Sequence, residues 1–354
     1  MRLAVALLTA TLLAGSLVGC TSGFGVPQSS SLPTDGSTQM RLTTGRSPTA
    51  NVVPVELRSS GILAEIHAAA RHDQADGVTR GIYAADLSTG HIYGYAGNDR
   101  SNGPPVCSLP PAEGSVWDVA VDRKGDVLAT VEEQSSSRID VFAGPGLCGP
   151  KLGSIAVPGQ VRDAASRDAR SGKIVVAVFK QPTGENGNVS VCTLSGGCTV
   201  LGIGNDFTGV ALAPNGDCWA TSFVAPNITY FAHCQGPGVA ATGFQGYIGS
   251  GLDIDHNGNL VVMKENSHSG SEMSIYSGCN PKCRLVSGPF PLHCCALYGH
   301  LDARSKKFVT ADGSALDVYS YSTSGVTYEY SISNGLGDPS NIYWGAAFSP
   351  PSQE

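Results

Sequence analysis

The chain has 354 residues, a formal net charge of −7 and only 14% charged side chains. A mildly acidic balance without any basic cluster keeps such a protein soluble and argues against nucleic acid or anionic lipid headgroups as partners.

The first element in chain order is an export signal. Met1-Arg2 precedes a run that is apolar from Leu3 to Leu13 except for two threonines, and small residues lead up to Leu17-Val18-Gly19-Cys20. A charged start, an apolar stretch of about a dozen residues and a small-residue break point mark a secretory signal over 1–19. The stretch is too short to span a bilayer, which takes roughly 20 apolar residues, and no second run of that length follows. Leu17-Val18-Gly19-Cys20 resembles the lipobox of bacterial lipoproteins. That resemblance implies cleavage before Cys20, lipidation of its sulfur and attachment to the membrane through that lipid. Thr21, rather than an aspartate, then favours the outer membrane if the cell is Gram-negative.

Residues 20–58 are rich in Ser, Thr, Gly and Pro, which predicts a flexible stalk. A short helical or irregular lead-in is expected over 59–79, with Ser60 as cap and Leu63 and Ile66 on one face.

From residue 80 the pattern changes to period two and repeats. A short β-rich run, a polar turn and a second run ending in aromatic or β-branched residues recur six times: 82–86 with 91–95, 127–130 with 139–142, 174–177 with 189–192, 218–221 with 228–231, 260–263 with 273–276, and 308–312 with 316–319. Such alternation between turn-rich gaps predicts half-buried antiparallel strands. From the second copy onward another strand precedes the pair, at 117–122, 162–165, 208–212, 250–255 and 298–302. It ends in turns marked by Gly125, Gly172, Gly216, Gly258 and Lys306, 42 to 48 residues apart. Periods of this size with about four strands each are the signature of propeller blades.

The two ends of the repeat complement one another. The first pair lacks its preceding strand, and 344–349 is such a strand with nothing after it. Joining them closes a ring and removes the exposed edge. The expectation is therefore all-β: a six-bladed β-propeller over 80–354 with four-stranded antiparallel blades, closed by the C-terminal strand pairing into the first blade. Gly209-Val210-Ala211-Leu212-Ala213-Pro214-Asn215-Gly216 and Gly251-Leu252-Asp253-Ile254-Asp255-His256-Asn257-Gly258-Asn259 resemble the NHL-repeat and regucalcin/gluconolactonase-like six-bladed propellers. That group mixes lactonases, lyases and pure binding proteins, so the resemblance implies fold more than activity.

Eleven cysteines less Cys20 leave an even number in an exported chain, which predicts disulfides. Cys192–Cys198 and Cys279–Cys283 each flank turn residues, Cys218–Cys234 lie on neighbouring predicted strands, and Cys107–Cys148 pair as the remainder. Cys294 and Cys295 stay unassigned.

Several stretches carry residue types that chemistry uses. The stretch 253–259 reads as the first half of a calcium loop, but Lys264 stands where a bidentate glutamate is needed, and the stretch is already explained as a blade turn. A regucalcin-like metal site would need a Glu, an Asn and an Asp from separate blades. The strand openings supply only Asp118 and Asp163, with Arg162 set to compete for their charge. His300 occupies the third position of its strand without an evident partner. No catalytic set, metal or cofactor is expected. What the strand openings offer is a surface of Trp117, Tyr298 and Trp344, with Tyr343 and Tyr247, beside Asp118, Arg162, Asp163 and His300. Aromatic platforms with a few polar groups suit a protein, peptide or carbohydrate ligand. The reading is a membrane-anchored binding module of the cell envelope. The alternative is an exported lactonase- or lyase-type enzyme with an acidic site at the channel mouth.

Overall fold

The computed structural model describes residues 81–349 apart from 98–101, 111, 134–135, 182–185, 204–205, 224–226, 245–249, 267–269, 294–295, 297, 303 and 334–342. The signal, Cys20, the stalk, the 59–79 lead-in, Tyr247, Cys294 and Cys295 lie outside the described residues.

Within that span the period-two runs form strands. The first blade holds β1 (Gly81–Asp86), β2 (Ile92–Ala96) and β3 (Cys107–Leu109). The second is β4 (Ser115–Val121), β5 (Val127–Glu132), β6 (Ser137–Phe142) and β7 (Lys151–Val157). The third is β8 (Val161–Ser166), β9 (Ile174–Lys180), β10 (Asn186–Thr193) and β11 (Gly197–Ile203). The fourth is β12 (Phe207–Leu212), β13 (Cys218–Ser222), β14 (Ile228–Phe231) and β15 (Val239–Ala240). The fifth is β16 (Leu252–Ile254), β17 (Leu260–Asn266), β18 (Gly270–Ser277) and β19 (Arg284–Pro291). The sixth is β20 (Gly299–Leu301), β21 (Lys307–Ala311), β22 (Leu316–Ser322) and β23 (Gly325–Ile332), and the last strand is β24 (Tyr343–Ser349).

Each sheet is antiparallel, and β24 is the innermost strand of the first blade. It pairs with β1 from Gly81 opposite Ser349 to Ala85 opposite Gly345. The inner strands β24, β4, β8, β12, β16 and β20 then neighbour one another in that order and return to β24. The closed six-bladed propeller expected from the sequence is thus the observed architecture.

The core is divided like the fold. Six apolar clusters each straddle two adjacent blades. The second strands lie between two such clusters, so Ile174-Val175-Val176-Ala177-Val178 in β9 is buried throughout, as a strand covered on both faces should be. Outer strands alternate irregularly; β19 is largely exposed.

The turns after the inner strands are tied by aspartates. Asp122 Oδ1 accepts from the backbone N–H of Lys124 and Asp126, and its Oδ2 from Ala169 of the next blade at 2.7 Å. Asp255 does the same with Asn257 and Asn259, and Tyr321 of the sixth blade donates to its second oxygen at 3.0 Å. The carboxylate of the calcium-like stretch is therefore occupied as a turn anchor between blades.

All four expected disulfides are present. Cys192–Cys198 ties the β10–β11 hairpin, Cys279–Cys283 the β18–β19 turn, and Cys218–Cys234 both ends of the β13–β14 pair. Cys107–Cys148 differs from these, since it joins β3 to the connection after β6 and so fastens the first blade to the second. No helix among the described residues is long and apolar enough to cross a membrane.

Candidate functional site

The inner strands present their residues to the ring axis, and three of them converge there. Asp118 is the fourth residue of β4, Asp163 the third of β8 and His300 the second of β20. One ligand-type atom from each lies within 4.8 Å of the others. His300 Nε2 is 3.3 Å from Asp118 Oδ2, and its Nδ1 is 3.8 Å from Asp253 Oδ2 on β16. His300 does have partners, contrary to the sequence expectation. They come from the second and fifth blades, and only ring closure brings them near.

Backbone contacts fix the carboxylates. Val210 N–H donates to Asp163 Oδ2 at 2.7 Å, and Leu301 N–H to Asp253 Oδ2 at 2.7 Å. The Asp118 N–H donates to Thr130 Oγ1 at 2.8 Å, and the same hydroxyl lies 3.3 Å from the carbonyl of Arg162. Thr221 donates to the Ser250 carbonyl of the next blade at 2.7 Å, and Thr310 to the Tyr298 carbonyl of its own blade at 2.8 Å. The inner strands are thus held by buried hydroxyls of the second strands.

Burial raises the Asp163 pKa well above the ordinary carboxyl value, and the Asp118 charge pushes it further up against the opposing pull of His300. For His300 burial alone would lower the pKa, yet the carboxylates of Asp118 and Asp253 hold it well above the usual imidazole value.

The aromatic residues gather at the openings of the same strands. Trp117 and Trp344 meet edge to face with ring centroids 5.2 Å apart. The Arg162 guanidinium lies 3.7 Å from the Trp117 centroid and pairs with Glu132. Arg162 therefore spends its charge on Glu132 and Trp117 and leaves the buried aspartates to His300, because neighbouring strand residues point to opposite faces. Tyr298 is buried, 4% exposed. Tyr343 opens β24, but its side chain lies outside the described residues, with Tyr247.

A second feature lies at the opposite end of the axis, which sequence reasoning missed. All six inner strands contribute residues at or next to their C-terminal ends to a cavity of about 790 Å³, bordered by Arg123, Arg167, His256, Asp253, Leu301 and Phe348. The repeated turn after each inner strand was the available signal, since ring closure must bring six such turns around one axis. Asp253 belongs to both features: it lines the cavity and faces His300.

Fold and axis together define a six-bladed β-propeller with a polar centre. The chain is similar to a solved Bacteroides caccae protein of unknown function, with 12% identity and a TM-score of 0.53 over 77% of this chain and 99% of that one. It is likewise similar to a chain in a solved nidogen/laminin complex, with 12% identity and a TM-score of 0.54 over 77% of this chain and 100% of that one. Identities this low establish likeness of fold alone. No protein-family profile matches the chain, and no curated protein matches it in sequence.

Proposed function

We propose that this protein is a lipid-anchored, extracytoplasmic β-propeller that binds a ligand or partner at its axial cavity. The observation that carries the reading is the cavity itself, framed by the ends of all six inner strands and mixing cationic, acidic and apolar side chains as ligand sites do. Four disulfides support an oxidising compartment. The export signal and the lipobox-like Leu17-Val18-Gly19-Cys20 support the anchor. The NHL- and regucalcin-like turns support a family in which binding proteins are common.

Two measurements test it. The full chain expressed in a bacterium should incorporate labelled palmitate and partition with membranes, and Cys20→Ala should abolish both; label retained by that variant would sink the anchor. A thermal-shift screen of peptides and glycans should find a stabilising class whose effect is lost in Arg123→Ala and Arg167→Ala. A ligand that stabilises those variants equally well would move the site elsewhere.

The alternative, an exported hydrolase or lyase, is favoured by one observation, the His300–Asp118 pair on the axis. Lactone hydrolysis that disappears in His300→Gln would establish it.

A further inference from the structure

We propose that Asp118, Asp163 and His300 hold one divalent transition-series cation, with Zn²⁺ the representative ion, on the propeller axis. Their ligand-type atoms already lie within 4.8 Å of one another, on strands from three different blades. The assignment does not depend on which ligand the cavity takes or on the lipid anchor.

Two independent features point to an ion beyond a simple hydrogen-bonded cluster. Asp118 Oδ1 and Asp163 Oδ1 are both buried and accept no hydrogen bond from an N–H or hydroxyl among the described residues, with residue exposures of 0% and 1%; their side chains are within hydrogen-bonding reach of each other. A buried carboxylate oxygen left unpaired is costly, and a cation between the two would satisfy both. The other Asp163 oxygen is taken by the Val210 N–H, so the free one is held in place. The second feature is the imidazole. Its Nδ1 faces the Asp253 carboxylate at 3.8 Å, on the side where metal-ligating histidines carry an outer-shell carboxylate. That leaves Nε2 for the ion on the side of Asp118.

Space is reserved as well. A Cβ on Gly345 would lie 2.3 Å from Asp118 Oδ1, so a glycine on the closing strand leaves room for that oxygen. Asp253, which faces His300, also lines the axial cavity. Three protein ligands of mixed nitrogen and oxygen type leave coordination positions open for water or a ligand group. Imidazole with two carboxylates suits Zn²⁺ or Mn²⁺; Ca²⁺ takes six to eight oxygens.

The test uses the untagged full chain, stripped with chelator and titrated calorimetrically with ZnCl₂, MnCl₂ and CaCl₂. One saturable equivalent of Zn²⁺ or Mn²⁺ is expected. Asp118→Asn, Asp163→Asn and His300→Gln should each weaken it by more than the about 10–100-fold typical of an outer-shell partner, and Asp253→Asn by about that amount. Asp168→Asn, on an exposed turn, should leave it unchanged. Should the ligand variants fail to fold, as judged by circular dichroism, Co²⁺ loading of the unaltered chain decides. A paramagnetically shifted imidazole N–H signal is expected, and its absence, or a thiolate-to-cobalt charge-transfer band, would overturn the assignment. So would the lack of one-to-one binding, or binding that survives all three substitutions.

Discussion

Gly345 and Asp118 face each other where the ring closes: a Cβ built on Gly345 would sit 2.3 Å from Asp118 Oδ1 and 2.6 Å from its Cα. The last strand of the chain thereby abuts the first inner strand after the opening blade, and only hydrogen fits between them. The same contact governs closure and the axial carboxylate.

Gly345→Ala should therefore be among the most damaging single substitutions. The obstructing atoms include backbone, so no side-chain rotation relieves the clash, and overpacking of this kind costs about 3 kcal/mol. Urea unfolding of the variant should show a lowered midpoint. A midpoint within error of the parent would mean that β24 and β4 do not meet this closely.

Removing β24 should open the ring. Without Tyr343–Ser349 the Gly81–Asp86 strand keeps β2 but loses its inner partner and presents an unpaired edge, a template for aggregation. A chain truncated before residue 343 should elute as higher oligomers or fail to fold. A monomeric, cooperatively unfolding truncation would contradict the closure.

The disulfides should contribute unequally. Cys107–Cys148 spans 41 residues and Cys279–Cys283 only four. On the chain-entropy account those loops correspond to about 4 and about 2 kcal/mol. Cys107→Ser with Cys148→Ser should lower the melting temperature more than Cys279→Ser with Cys283→Ser, since it also releases the first blade from the second. The reverse order would show that local turn geometry outweighs the inter-blade link.

Asp122 should make stability depend on pH in weak acid. Burial raises its pKa to about 6, opposed by the Ala169 N–H and reinforced by the Asp126 charge. Its folded value lies above the unfolded one, near 3.9, so folding favours the protonated form. The contribution is full below about pH 4 and is lost as pH rises through about 6, on the order of 2–3 kcal/mol. Stability measured from pH 4 to 7 should fall more steeply in the parent than in Asp122→Asn, and carboxyl NMR should place the midpoint near 6. Parallel curves would refute the shift.

Much of the fold was legible because blades repeat. Second and third strands such as Ile174–Lys180 and Leu316–Ser322 carry β-branched and aromatic runs that burial on both faces demands, and glycine-marked turns set the period. The fourth strands escaped notice. Arg284–Pro291 and Gly325–Ile332 lie on the rim, where few side chains are buried, so no alternating pattern is imposed on them. The disulfide partners could be paired because three of the four bridges are local in sequence.

The axial site was legible only in pieces. Asp118 and Asp163 stand out where the other inner strands carry Gly209, Gly251, Gly299 and Gly345, and the aromatic Trp117, Tyr298 and Trp344 stand one position earlier on theirs. His300 looked solitary, since its partners Asp118 and Asp253 are 182 and 47 residues away in the chain. By itself the sequence determined what recurs: strand period, turns, the complementary ends and the local cysteine pairs, all set by short-range stereochemistry and burial. Which residues meet on the axis was decided by the tertiary structure alone. Closure converts six positions spread along the chain into one ring, and a distance across that ring is a property of the assembled blades rather than of any one repeat.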